Sequence, residues 1–179
     1  MKKKIMLLTA VLLMCSSMMF GCSNSQTDNS TNSDNSSNTN SNSNNSSKSN
    51  TKWQKTIDEV YNTALDTNTY PYANDIYISV SDDKKLVDYT VIVADDTTPE
   101  QAVEYATDLI KMFNDTASEN DSSITKSSDN NYGSFFDEYD VLMTIATEKS
   151  VLNEKDWLVC QTIKAGEHTP IQAGGFSSK

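Results

Sequence analysis

Few side chains in this sequence of 179 residues could carry nucleophilic or acid–base chemistry. His168 is the only histidine, so the count alone excludes a histidine-based catalytic triad and a metal site built from several histidines. We interpret it as a solvated residue near the C-terminus. Cys160 stands two residues after Leu158 in a strand-like stretch, which favours a buried thiol over a nucleophile. We therefore expect no catalytic residue, no cofactor and no enzymatic activity.

Carboxylates are the remaining chemical candidates. They occur as pairs at Asp82-Asp83, Asp95-Asp96 and Asp137-Glu138. Two carboxylates can hydrolyse a glycosidic bond or bind calcium. The stretch 129–133 (DNNYG) has a glycine at its fifth position rather than the sixth that a calcium loop requires. We expect solvated acids and no metal site, and keep as an alternative function a carboxylate-based cell-wall hydrolase acting near residues 129–140.

Aromatic and acidic residues concentrate in one segment, which we call the 132–140 segment. Its notable members are Tyr132, Phe135, Phe136, Asp137, Glu138, Tyr139 and Asp140. A small domain needs its aromatic side chains for its core and its loop anchors, so burial is the favoured role. Aromatic residues are also preferred at recognition surfaces, and function tends to lie in loops held by a rigid scaffold. If the domain binds a partner, we expect this segment to form the binding loop.

The N-terminus has the layout of an export signal: three lysines precede an apolar run at 5–14. The run ends in Gly21-Cys22, which resembles the lipobox of bacterial membrane lipoproteins, although Met19 and Phe20 depart from the leucine and small residue usual there. The resemblance implies that residues 1–21 are a signal peptide cleaved before Cys22 and that Cys22 carries a lipid. The domain would then lie on the extracytoplasmic face of the plasma membrane. An uncleaved transmembrane anchor is the alternative, with the same orientation.

Residues 22–51 predict a disordered tether. Of the 29 residues from 23 to 51, 25 are serine, asparagine or threonine, and none is apolar. No buried side chain can offset the entropy of ordering such a segment. We expect it to hold the domain away from the bilayer.

The remainder of the chain is strongly acidic. From Trp53 onward it has 9 lysines against 23 aspartates and glutamates, a net charge of −14 (9 − 23), and the whole sequence has no arginine. This charge repels phosphate backbones, so nucleic acid is excluded as a partner.

Hydrophobic periodicity predicts two helices and four strands between residues 52 and 165. Helices are expected over 52–67 and from Thr98, where Thr98-Pro99 and Gln101 form a capping box. Alternating apolar residues predict strands at 76–80, 87–93, 141–145 and 157–163, with a loop over 115–134 and a flexible tail over 166–179.

The resulting order, α-β-β-α-β-β, predicts an acidic α+β domain over residues 52–165. We expect a two-layer sandwich in which an antiparallel four-stranded sheet carries both helices on one face. The absence of catalytic motifs and the long tether favour a non-enzymatic binding or accessory module whose partner is a protein or a cell-wall component. A spacer lipoprotein without a specific ligand is the remaining alternative.

Overall fold

The computed structural model describes residues 52–175. The predictions for residues 1–21 and 22–51, including Gly21 and Cys22, lie outside the described residues. Six main elements follow one another: α1 (Gln54–Ala64), β1 (Ala73–Ser81), β2 (Leu86–Val93), α2 (Pro99–Asn120), β3 (Asp140–Thr147) and β4 (Val159–Ile163). Short 3-10 helices lie at Ser134–Asp137 and Glu154–Asp156. The α+β class is confirmed.

The start of α2 is the predicted one. The Thr98 hydroxyl accepts a hydrogen bond from the Gln101 amide at 3.3 Å, and the Gln101 side chain accepts one from the Thr98 amide at 2.8 Å. The end of α2 differs from the prediction, since the expected loop from residue 115 begins only after Asn120. The reason is that Ala117 is buried one turn beyond Phe113 and prolongs the apolar stripe.

The helix α1 is shorter than predicted and ends at Ala64. The Asp66 carboxylate accepts hydrogen bonds from the Asn68 amide and the Thr69 hydroxyl, at 3.1 and 3.0 Å. Such local side-chain bonds offer the backbone an alternative to helix and close a turn. Neither α1 nor α2 has the length and apolar character of a membrane-crossing helix, within the part of the chain that the structure describes.

The sheet has the strand order β1-β2-β3-β4, and the prediction of a fully antiparallel sheet is wrong. The pairs β1–β2 and β3–β4 are antiparallel, whereas β2 and β3 run parallel, with Val87 opposite Val141 and Val91 opposite Ile145. Parallel neighbours need a long crossover connection, usually a helix. The connection from Val93 to Asp140 contains α2, so it is long enough to return the chain to the same end of the sheet.

The two faces of the sheet carry different side chains. Buried residues occur on both, since Thr90, Ile92, Thr144 and Ala146, which alternate with the residues of the apolar face, are also buried. On the apolar face the buried side chains are Ile76, Ile78, Val80, Val87, Tyr89, Val91, Val141, Met143, Ile145, Val159 and Ile163. They share one hydrophobic cluster with buried residues of both helices. The helix α1 contacts β1 and α2, and α2 contacts β3 and β4. The opposite face, which we call the second face, includes Tyr77, Ser79, Asp88, Leu142, Thr162 and Cys160. There Cys160 is half-buried.

The segment after β4 follows the outer edge of that strand. Gln161 binds it twice: its side chain donates to the Pro170 carbonyl at 3.2 Å and accepts from the Gln172 amide at 2.9 Å. The Gly174 amide donates to the Leu158 carbonyl at 2.9 Å, and Ile171 is buried in the main core. Residues 170–174, which lie in the predicted flexible tail, therefore cover the β4 edge.

Candidate binding site

The four aromatic residues of the 132–140 segment are buried, as their favoured interpretation predicted. Tyr132, Phe135, Phe136 and Tyr139 each expose 6% of their surface or less. Phe135 stacks on Tyr139 with ring centres 4.3 Å apart, and Phe113 of α2 lies 5.1 Å from Phe135. The segment is therefore fixed to the core by its rings, and its polar side chains stand on a rigid support.

A polar cluster joins this segment to two distant parts of the chain. The Asp82 carboxylate, in the turn after β1, accepts hydrogen bonds from the Trp53 indole at 3.0 Å and from the Tyr139 hydroxyl. The Trp53 ring lies just before α1 and meets Phe135 edge-to-face, with centroids 4.8 Å apart. One carboxylate thus ties together the start of α1, the β1–β2 turn and the 132–140 segment.

Lys85 makes further contacts between the β1–β2 turn and the 132–140 segment. Its backbone is in the left-handed region with φ of 48°, and its carbonyl accepts the Asp140 amide at 2.7 Å. Its ammonium lies 3.1 Å from the Glu138 carboxylate and 4.5 Å from the centre of the Tyr139 ring. Both Lys85 and Glu138 are more than half exposed, so the ion pair contributes little to stability and remains accessible to a ligand.

A cavity of about 330 Å³ opens beside this cluster. Its lining combines two lysines, three carboxylates, hydroxyl groups and aromatic rings: Lys52, Trp53, Lys85, Asp121, Ser123, Ile124, Ser134, Phe135, Asp137, Glu138 and Tyr139. The volume is at the lower end of the range for small-molecule sites, at roughly 300–1,000 Å³. Donors, acceptors and both signs of charge converge there, which suits a polar ligand carrying charges of both signs.

The electrostatics of the cluster favour hydrogen bonding over proton transfer. Burial opposes the ionisation of Asp82, but the hydrogen bonds from Tyr139 and Trp53 outweigh it and hold the pKa of this carboxyl below its ordinary value. Burial, together with the hydrogen bond to Asp82, raises the pKa of Tyr139. At neutral pH the cluster therefore contains an ionised Asp82 and a neutral Tyr139 that donates to it.

The interpretation of His168 as a solvated residue is wrong. Its side chain is 17% exposed, its Nδ1 atom accepts the Tyr132 amide at 3.1 Å, and its Nε2 atom lies 3.2 Å from the Asp137 carboxylate. The Tyr132 hydroxyl also donates to the Thr169 carbonyl at 3.2 Å. Residues 168 and 169 thereby help to hold the rear of the 132–140 segment.

The structure divides the predicted binding residues into two groups. Four of them line the cavity: Phe135, Asp137, Glu138 and Tyr139. Tyr132 and Phe136 support the segment from behind. Asp140 begins β3, where its carboxylate binds the Lys164 ammonium at 2.7 Å and the Ala165 amide at 2.9 Å.

The sequence did not predict that Trp53, Asp82 and Lys85 belong to this site. The sequence places Trp53 in the helix predicted over 52–67, and Asp82 and Lys85 between the strands predicted at 76–80 and 87–93. Asp82 and Tyr139 are separated by 57 residues, so no spacing rule could join them. The available signal was Trp53 itself, since a buried indole needs a hydrogen-bond acceptor.

The acidic pair Asp95-Asp96 does not join this site. Asp95 pairs with Lys149 at 2.9 Å, at the far end of the sheet. Across residues 52–175, no group of three or more histidine, cysteine or acidic side chains is arranged to hold a metal ion.

Comparison of the chain with protein-family models, curated proteins and solved structures finds no match.

Proposed function

We propose that the chain is a lipid-anchored cell-surface binding module. Cys22 would hold it at the plasma membrane, residues 23–51 would carry the domain away from the bilayer, and the cavity beside Tyr139 would receive a protein or cell-wall ligand. The single observation that carries the binding role is the cavity of about 330 Å³ lined by Asp137, Glu138 and Tyr139 on a rigid aromatic support. We further propose that α1 and α2 form one layer over the apolar face, which completes the predicted two-layer sandwich.

A wall hydrolase is the second candidate, because two adjacent carboxylates, Asp137 and Glu138, line a cavity of sufficient volume. Hydrolysis of a glycosidic bond also needs a carboxyl group that stays protonated at working pH. Burial raises the pKa of Asp88 to about 6, but this side chain lies on the second face of the sheet and does not line the cavity. This separation supports binding over hydrolysis.

Site-directed photocrosslinking in living cells tests the binding role. A photoreactive amino acid replaces Glu138 at the cavity or, as the matched control, the exposed Lys155 in the 3-10 helix Glu154–Asp156. We expect a discrete crosslinked product from position 138 and none from position 155. Identical patterns from both positions would contradict a ligand at the cavity.

Metabolic labelling tests the anchor. The wild-type chain should take up a palmitate analogue and sediment with membranes, whereas Cys22→Ser should remain unlabelled. A variant that is unlabelled yet still sediments with membranes, or a wild type without label, would favour the transmembrane alternative.

A further inference from the structure

The first strand of the sheet is an open edge. In the strand order β1-β2-β3-β4, β1 pairs with β2 alone, and no other segment within residues 52–175 pairs with it. It has nine residues, longer than the roughly 5–6 of an average strand. Natural sheets protect such edges with lysine, proline or a β-bulge. Residues 73–81 have neither lysine nor proline, and the register shift between Ala73 and Asp75 leaves the rest of the strand regular.

The backbone of β1 presents amides that point away from β2 at this edge. The Ile76 amide is one of them, and it donates to the Asp75 carboxylate at 2.9 Å. Because amide directions alternate along a strand, the amides of Ile78 and Val80 point the same way. These two amides form a template on which another strand can add.

Two exposed aromatic rings flank the edge. Among the described residues three large hydrophobic side chains are exposed, and two of them are Tyr61, at 41%, and Tyr77, at 37%. Tyr77 lies on the second face of β1, opposite Thr90. The rings therefore bracket the β1 edge if Tyr61 faces outward from α1.

The contacts of α1 settle that direction. Glu59 and Lys55 contact Asn120 of α2, so this side of α1 faces α2, which contacts β3 and β4. Tyr61 lies two residues after Glu59, which is about 200° around a helix with 3.6 residues per turn. It therefore points away from α2, past β1, and Ile57 precedes it by one turn on the same side.

Charge distinguishes the two sides of the edge. On the second face beside the edge lie two carboxylates, Asp75 and Asp88, whereas Ile57 and Tyr61 form an apolar flank on the helix side. The domain as a whole has a net charge of −14 from Trp53 onward. A second copy of β1 would bring its own Asp75 and no lysine, so the charges disfavour self-pairing.

We propose that the β1 edge is a docking site for an extended basic segment of a partner protein, which adds to the sheet as a further strand. Its alternate apolar side chains lie against Ile57 and Tyr61, and its alternate lysines lie against Asp75 and the Tyr77 ring. This site is separate from the cavity, and neither proposal depends on the other.

The test measures binding of the full chain, in detergent, to a capped fluorescent peptide of about ten residues in which lysine and valine alternate. Fluorescence anisotropy reports the affinity. The chain should bind this peptide, should bind the same peptide with glutamate in place of lysine far more weakly, and should not bind a version interrupted by proline, which cannot complete a strand ladder.

Matched variants of the protein locate the binding. Tyr61→Ala and Tyr77→Ala should each weaken binding about tenfold, since each removes a ring that the peptide buries. Leu152→Ala, at the third exposed hydrophobic side chain (77% exposed), should leave the affinity unchanged. Absence of binding, equal affinity for the lysine and glutamate peptides, or insensitivity to both tyrosine substitutions overturns the proposal.

Discussion

The two edges of this sheet are treated in opposite ways. At β4, residues 170–174 follow the strand, with Ile171 in the core and Gly174 bonded to Leu158. At β1, no segment of residues 52–175 adds to the strand, and the outward amides of Ile78 and Val80 remain available.

The contrast indicates where the fold leaves room for a partner. Uncovered edges promote unwanted pairing between chains, so an open edge as long as β1 supports the proposed docking of a partner strand. The cavity lies at the end of the strand and not along its edge, since Lys85, in the turn after β1, lines it. The four predictions below test this comparison, beginning with the largest expected effect.

Substitutions at the covered β4 edge should lower the free energy of unfolding more than substitutions at the open β1 edge. Ile171→Ala removes a side chain that is 5% exposed, and we expect the free energy of unfolding to fall by about 2–4 kcal/mol. Urea denaturation of the full chain measures it, with Leu152→Ala as an exposed control. A loss below about 0.5 kcal/mol would mean that residues 170–174 do not hold the β4 edge.

The ionised form of Asp88, on the second face of the sheet, should destabilise the fold at neutral pH. Burial raises the pKa of Asp88 to about 6, so between roughly pH 4 and pH 6 the unfolded chain releases a proton that the folded chain retains. The contribution of Asp88 to stability should fall as the pH rises through this window. Asp88→Asn removes the effect and should stabilise the protein at pH 7 by about 1–3 kcal/mol, but not at pH 4.

The control for this change is Asp83→Asn, at an exposed acid in the turn after β1. It should change the free energy of unfolding by less than about 0.5 kcal/mol. Equal effects of the two substitutions at pH 7 would contradict the burial of Asp88.

The stability of the fold should be moderately sensitive to loss of the hydrogen bond between Tyr139 and Asp82. Tyr139→Phe removes the hydroxyl that donates to Asp82 and should cost about 1–2 kcal/mol at neutral pH. Because the folded-state pKa of Asp82 is lowered, the stabilisation from its ionised form is present above about pH 4 and is lost as the pH falls below that value. The difference between wild type and variant should therefore shrink towards pH 2. Tyr77→Phe, at an exposed ring, should show no such pH dependence.

The open edge itself should tolerate substitution. Tyr77→Lys places a charge at a ring that is 37% exposed, and we expect the free energy of unfolding to change by less than about 0.5 kcal/mol. The same variant should lose the basic peptide, since it introduces like charge where the peptide's lysines lie. A large loss of stability would show that Tyr77 supports the fold instead of a ligand.

Local sequence patterns predicted most of the secondary structure. The capping box at Thr98 and the alternation through Val87 and Val91 each depend on neighbouring residues, and each prediction is confirmed. The parallel pairing of β2 with β3 was missed because strand direction depends on where α2 returns the chain, which apolar alternation does not encode.

The site was half predictable for the same reason. Clustering of aromatic and acidic residues identified Phe135, Glu138 and Tyr139, which share one short segment. Their partners Trp53 and Asp82 lie in segments that only the tertiary fold brings together. His168 was misjudged because its contacts with Tyr132 and Asp137 depend on the path of the chain after β4.

Amide hydrogen exchange along β1, measured by NMR on the full chain without peptide, tests the central contrast most directly. The amides of Ile78 and Val80 should exchange quickly because they face away from β2, whereas those of Tyr77 and Ser79, which face β2, should be protected. Strong and equal protection at all four positions would show that the β1 edge is already paired, and would contradict the account.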